Sequence, residues 1–235
     1  MASRPPDRIF FEPMTGPRLL PLFPLPDVLL LPETTLPLHV FEPRYRAMLS
    51  DALAGDRLIG IQLLKPAAGS DRAGRPAVFE IGCAGEVVEH ETLEDGRSNI
   101  LLRGKFRYRI ALERETPTPY RVAEIAPLPV HPLPPAADGR TRRDLRRLLA
   151  KSVERLADSV GRSHARSLPT QLSDEGFVNE ALARLGLDAQ EGYRLLAMDR
   201  LEERYAWALA HIAGVQRRLD FLGPFRRSEV DPRRN

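Results

Sequence analysis

The side chains in this chain that could carry chemistry do not assemble into any of the usual centres. His39, His90, His131, His164 and His211 are scattered, with neither an i, i+4 pair nor CxxC/HxxxH spacing, so no metal site is expected. Cys83, near His90 and Glu91, could serve as a thiol nucleophile. It lies, however, in the run Ile81-Gly82-Cys83-Ala84, where a lone cysteine reads as a small core residue. Gly69-Ser70-Asp71-Arg72-Ala73-Gly74 has the outer spacing of a phosphate-binding loop. Arg75-Pro76 then stands where Lys and Ser/Thr would hold phosphate and magnesium, and the proline removes an N–H. A surface loop without nucleotide is the expectation. No Ser/His/Asp set emerges from spacing, and Asp188 with Glu191 and Asp199 with Glu202 read as capping boxes at helix starts. The chain is therefore read as non-enzymatic, with no catalytic residue, no metal and no cofactor.

Binding chemistry has two candidate locations. Leu36, Leu38 and Val40 alternate with Pro37, His39 and Phe41, the period of a strand. Prolines on either side leave strand-edge groups that an extended peptide could pair with, which makes Leu36, Leu38, His39 and Phe41 the peptide-binding candidates. The other location is basic. Arg103, Lys105, Arg107 and Arg109 share a strand face if no bulge intervenes at Gly104, and Arg140, Arg142, Arg143, Arg146 and Arg147 crowd a later helix. RNA phosphates could be held by Arg103, Lys105, Arg107, Arg109, Arg143 and Arg147. Against this, Phe106 and Tyr108 fall on the opposite strand face, whereas a platform for single strands needs aromatics and cations on one surface. Ordinary solvated faces are the favoured reading, with RNA the alternative.

The elements that must position these residues read in two blocks. From Arg18 to Val130 the chain is strand-rich, interrupted by one helix, Pro43 to Leu53, that presents Tyr45, Met48, Leu49, Ala52 and Leu53 on one side. Gly55 closes it. Arg57–Leu64 and Ala77–Leu93 read as strands, separated by the Gly/Pro/Ala loop 65–76. Glu94-Asp95-Gly96-Arg97 is a hairpin signal, and Ser98–Leu102 is the returning strand. Phe106, Tyr108, Ile110 and Leu112 should form a buried face, with Lys105, Arg107, Arg109 and Ala111 wet. Tyr120–Leu128 is a further strand, and the proline cluster 130–135 is the boundary. Beyond it, Leu145, Leu148, Leu149, Val153, Leu156 and Val160 stripe one helix, and Ser173 N-caps a short one that Gly186 ends. The last helix carries a heptad seam through Met198, Leu201, Tyr205, Ala208, Ile212, Val215, Leu219 and Leu222. That seam packs internally or makes a homodimer, the internal reading being favoured.

Length allows one good core with a smaller appendage in 235 residues. A formal charge of +3 gives little steering toward nucleic acid. One cysteine excludes an intrachain disulfide framework and suits a reducing compartment. No window reaches a membrane span and no signal peptide is legible, so a cytoplasmic protein without membrane contact is expected. Residues 1–16 and the basic stretch 223–235 lack periodicity and are expected to fray.

The run Leu19 to Leu49, with Phe41-Glu42-Pro43-Arg44-Tyr45-Arg46 and its proline spacing, resembles the opening of the Lon protease N-terminal, substrate-binding domain family. Gly82-Cys83-Ala84-Gly85, Asp95-Gly96-Arg97, Gly104 through Ile110, Pro119-Tyr120-Arg121 and Leu201-Glu202-Glu203-Arg204 extend the similarity in order to Leu222. The resemblance implies an α+β protein: a PUA-like β-barrel with one embedded helix over 17–131, then an α-helical bundle over 138–222. It also implies a bacterial, stand-alone substrate-binding domain lacking ATPase and peptidase modules. Its partners would be unfolded polypeptide or a partner protein, with association with a separate Lon protease a further expectation. Within the motif, Glu42, Pro43, Arg44 and Tyr45 are assigned the strand-to-helix junction, not the binding surface. The PUA-like architecture is also what keeps the RNA alternative open.

Overall fold

The computed structural model describes residues 18–66, 75–133, 139–159, 168–169 and 171–226. The phosphate-loop-like hexapeptide, Val160, the stretch 1–16 and residues 227–235 lie outside them. Strands β1 (Arg18–Leu25), β2 (Thr35–Val40), β3 (Leu58–Leu63), β4 (Ile81–Thr92), β5 (Ser98–Arg114) and β6 (Arg121–Pro127) are joined by α1 (Pro43–Ala54). Helices α2 (Gly139–Ser159), α3 (Asp174–Ala183), α4 (Ala189–Ala197) and α5 (Leu201–Arg226) follow. The class is α+β, strands first and helices after, as the sequence reads.

The six strands form one mixed sheet in the order β2-β5-β4-β3-β1-β6, and β6 pairs back onto β5. Pairing thus runs in a ring through β5, β4, β3, β1 and β6, with β2 attached to β5 as an edge. The 17-residue β5 makes this possible. Its start, Ser98–Arg103, pairs with β2, and its end, Tyr108–Arg114, pairs with β6. Register shifts at Gly85/Ala84 and Val87/Glu89 of β4, and at Ile110/Leu112 of β5, bend the strands where the ring must turn.

Two apolar clusters result. Inside the ring lie Leu20, Leu22, Leu58, Ala84, Tyr108, Ala123 and Ile125. Tyr108 fits there because Gly60 and Gly82 present no Cβ to its hydroxyl, which donates to Gln62 Oε1 at 2.7 Å. The larger cluster takes the other strand faces, Ile59, Ile61, Cys83, Val87, Ile100 and Leu102. It also takes Tyr45, Met48 and Leu49 of α1, and Phe177, Leu182, Leu195, Tyr205 and Ile212 of the later helices. Because both faces of β3 are covered, all six of its residues are buried and it shows no alternation.

Several expectations need correction. Leu112 and Leu148 are exposed, not buried. Leu112 follows the Ile110/Leu112 register shift, and Leu148 sits about 100° round α2 from buried Leu149. The Asp188–Glu191 capping box is present in full, but Asp199 caps nothing: its carboxylate goes to Arg107, and the Arg204 amide donates to the Arg200 carbonyl. Helix α5 continues through Pro224 to Arg226, past the expected frayed boundary. Its seam turns inward, with Leu201, Tyr205, Ala208 and Ile212 buried where α2 and α3 pack on α5. Those four side chains are used within the chain.

Candidate functional site

Two junctions fasten the helices to the sheet. The first is a strap, residues 26–34, drawn from the Pro/Leu-rich run between β1 and β2. Leu29 lies over Gly192 of α4 and Leu30 over Gly85 of β4. The Leu31 carbonyl crosses so close to Gly104 of β5 that a Cβ there would collide with it. Glu33 N donates to the Gly104 carbonyl at 2.8 Å, and Gly104 N donates to the Thr34 carbonyl at 2.9 Å. The Pro32 carbonyl accepts from Asn179 Nδ2 at 3.1 Å. Glu33, at φ 65, takes its carboxylate to the start of α3, where the Ser173 amide (3.3 Å) and hydroxyl donate to it. An acid at a helix N-terminus is favourably placed against the exposed amides there.

The second junction is polar and built around two buried arginines. Arg107, fully buried, donates to the carbonyls of Leu196 (2.9 Å), Met198 (3.0 Å) and Pro129 (2.7 Å), and to Asp199 Oδ1 (3.0 Å). Arg204, equally buried, reaches the Met198 carbonyl, Glu175 Oε1 at 2.9 Å and Asn179 Oδ1 at 3.3 Å. Burial lowers the Arg204 pKa and Glu175 opposes that shift.

The expected basic stripe on β5 is thereby taken apart. Lys105 is the extra residue of a bulge, since Ala84 pairs with Phe106 and Gly85 with Gly104, and alternation is broken at the position where the stripe required it. Lys105 pairs with Glu86 and Arg109 with Glu80, each at 2.9 Å, while Arg107 points into the protein. Among the described residues, Arg103 is the basic residue of that strand that stays exposed without an ion pair. On α2, Arg143 is exposed and Arg147 pairs with Asp144 at 2.9 Å.

The strap and the start of β2 form one wall of a cleft of about 290 Å³, and the end of α3 and start of α4 form the other. Val28, Leu29, Leu31, Leu36, Leu182 and Leu187 supply apolar lining, and among the described residues Asp27 and Asp188 supply its charges. A second, more open hollow of about 630 Å³ is lined by His131, Tyr193, Arg194, Asp199, Arg200 and Glu203, with charges of both signs. Among the described residues no group of three or more His, Cys, Asp or Glu side chains is gathered. Cys83 is buried, and burial pushes its thiol pKa up. A protonated, enclosed thiol is a poor nucleophile.

The four peptide-binding candidates are divided by strand alternation. Leu36 lines the cleft, and Leu38 is half-buried against the main core. His39 and Phe41 are exposed on the opposite face, their rings stacked at 6.2 Å, with His39 Nδ1 2.8 Å from Asn99 Oδ1. The adjoining motif residues make the junction. Glu42 is the N-cap residue of α1, its carbonyl accepting from Tyr45 N and Arg46 N, and its carboxylate pairs with Arg44 at 2.8 Å without capping. Pro43 opens the helix, Arg44 lies over the Tyr45 ring, and Tyr45 is buried against Phe23 at 4.2 Å. The Arg46 guanidinium covers Gly96, whose φ of +78 turns the β4–β5 hairpin. Two sequence motifs about 50 residues apart therefore meet in space. Sequence reasoning missed Leu182, Leu187 and Asp188 as cleft residues. Gly186 and the cap at Asp188 mark the α3–α4 turn, but nothing local says that the strap lies opposite.

The family model of the ATP-dependent protease La (LON) substrate-binding domain matches residues 19–214. Lon protease of Cytophaga hutchinsonii is 23% identical over 201 residues, covering 82% of this chain and 24% of that protein. Lon protease of Trichlorobacter lovleyi is 28% identical over 192 residues, 80% of this chain and 23% of that protein. The chain thus spans about a quarter of the length of these curated bacterial relatives. The crystal structure of a Lon N-terminal domain protein from Xanthomonas campestris superposes with a TM-score of 0.57 at 25% identity, covering 82% of this chain and 98% of that one. The N-terminal domain of Mycobacterium avium complex Lon protease gives 0.61 at 15% identity, covering 83% and 98%, a likeness of fold. With a match over residues 19–214, this chain belongs to the Lon substrate-binding domain family.

Proposed function

We propose that this chain is a non-catalytic module that binds polypeptide, unfolded segments or an exposed segment of a partner protein, in the cleft between the strap and the α3–α4 turn. The observation that carries this reading is the cleft's position. Apolar walls open directly beside Leu36 at the start of β2, a strand paired on one side only. An extended segment can add to such an edge while placing an alternate side chain in the hollow. In this reading Leu36 and Leu38 belong to the binding side, and His39 and Phe41 offer an exposed aromatic pair on the reverse face. The strand ring is a PUA-like barrel over 17–131, with the helices of 138–222 forming the second wall as a subdomain. A separate Lon protease is a partner this reading accommodates.

The state of the arginines favours polypeptide over RNA, because Lys105, Arg107 and Arg109 of the strand stripe are paired or buried, Arg103 stands apart from them, and among the described residues Phe106 and Tyr108 turn to the inner apolar cluster instead of forming a platform beside the cations. The test is titration of the purified chain against a carboxymethylated, permanently unfolded protein and a peptide array. Saturable binding that Ala183→Trp removes is the expected result, since Ala183 is exposed and lines the cleft. No saturable binding at high micromolar concentration overturns the reading.

A further inference from the structure

We infer that the cleft selects segments in which an apolar side chain is flanked by lysine or arginine. This deepens the binding reading above and rests on it. Among the described residues the cleft's charges are all of one sign: Asp27 on the strap side and Asp188 on the helix side, with no lysine, arginine or histidine in its lining. Both residues are exposed. Asp188 accepts from Glu191 N at 2.8 Å, yet a carboxylate has about four acceptor positions and keeps others for a ligand. Arg184, next to the lining residue Ala183 in sequence, is held by Glu180 at 2.8 Å.

Geometry sets the order of side chains. A segment lying beside β2 sends successive side chains to opposite faces. Seating one apolar residue between Leu36 and Leu187 turns its immediate neighbours to the opposite face and brings the side chains two positions away back to the mouth, toward Asp27 on one side and Asp188 on the other. Long lysine and arginine stems can cover the apolar rim while their charges reach those carboxylates. An acidic neighbour would meet like charge. The start of α4, which could otherwise receive an anion, is closed by the chain's own Asp188–Glu191 capping box.

The experiment uses the full chain and fluorescein-labelled 11-residue peptides with one central leucine-phenylalanine pair, flanked by lysine and arginine, by serine, or by glutamate. Anisotropy is read at two ionic strengths. The basic-flanked peptide is expected to bind about fivefold more tightly than the serine-flanked one at low salt, the size of two solvent-exposed ion pairs, and the glutamate-flanked one more weakly still. The ratio should shrink with salt. Asp27→Asn with Asp188→Asn, which keeps a capping side chain at 188, should bring the three peptides within about twofold of one another. Ala183→Trp should abolish binding of all three. Equal affinity for all three peptides, or a preference that survives both asparagine substitutions, overturns the inference and leaves polypeptide binding standing. Failure of every peptide and of the unfolded protein overturns both. A matching thermal midpoint for each variant shows that the fold is intact.

Discussion

Arg107 of β5 and Arg204 of α5 donate to the same acceptor, the carbonyl of Met198. It receives Arg107 Nη1 at 3.0 Å, Arg204 Nη2 at 2.7 Å and Arg204 Nε at 3.0 Å. Met198 is the C-cap of α4, so two guanidiniums from distant parts of the chain stand at the negative end of one helix. Asp199 and Glu175 supply the opposing charge. The arrangement fixes where the helices sit on the sheet, since a rigid planar fork tolerates little displacement of its acceptors.

Replacing Arg107 should therefore be costly, and the conservative choice should not rescue it. Arg107→Lys cannot reach acceptors on Leu196, Met198 and Pro129 at once, leaving buried carbonyls unpaired. We expect a loss of about 3 kcal/mol in urea unfolding for Arg107→Lys or Arg107→Met. Asp199→Asn should cost below about 1 kcal/mol, because that carboxylate is half-exposed and solvent screens the pair.

Gly104 is required by the strap. Gly104→Ala drives a Cβ into the Leu31 backbone carbonyl, which no rotamer change relieves, and should destabilise by about 3 kcal/mol. Gly186→Ala is the contrast. It meets nothing within 4 Å and carries only the strain of φ +64, about 1 kcal/mol. Equal losses at the two positions would contradict this account of the strap.

Glu33 and Ser173 act as one unit across the same junction. Ser173→Ala removes the cap bond to Gly176 N and the hydroxyl on Glu33, at about 1 kcal/mol. Glu33→Gly should cost less than Glu33→Ala, because glycine relieves the positive φ while losing the same carboxylate. A double-mutant cycle in which Glu33→Ala and Ser173→Ala are strictly additive would show that they are uncoupled.

Alkaline stability follows from the buried phenols. Burial raises the pKa of Tyr108 and Tyr205, and burial with the Asp51 hydrogen bond pushes Tyr120 up to about 12. The folded state therefore keeps protons that the unfolded chain gives up near its ordinary value of 10.0. The resulting stabilisation is whole below about pH 10 and is lost as pH rises through the folded values. Thermal midpoints should hold up to about pH 10 and fall above it. Tyr108→Phe should shallow that fall, after an initial cost of about 1 kcal/mol for the bond to Gln62.

Cys83 should resist thiol reagents. Its side chain is enclosed and its pKa is raised, so labelling should proceed only through opening of the core and accelerate in urea in step with unfolding. Rapid stoichiometric labelling of the native protein would place the thiol at the surface.

The Lon-family membership, the order of strands before helices, the α1 junction, the Asp95-Gly96 hairpin and the Asp188 cap were all legible in the sequence. The junction, the hairpin and the cap each depend on residues within one turn or one strand, where period, proline and capping chemistry act locally, and the family and the element order follow from the succession of such local signals along the chain. Alternation puts Arg107 on a wet face and leaves the stripe conditional on an unbroken strand; the bulge at Lys105 and the helix C-terminus that takes Arg107 into the interior are long-range facts that alternation does not carry. The candidate site was half legible. Leu36 is marked by its strand, whereas Leu182, Leu187 and Asp188 join it only because the strap docks on α3 and α4. What a sequence determines alone is which residues form an element and which face is apolar. Which faces meet is decided by tertiary packing, and here it is the close approach of Leu31 to Gly104 and of Glu33 to Ser173 that turns a leucine-rich loop into one wall of a cleft.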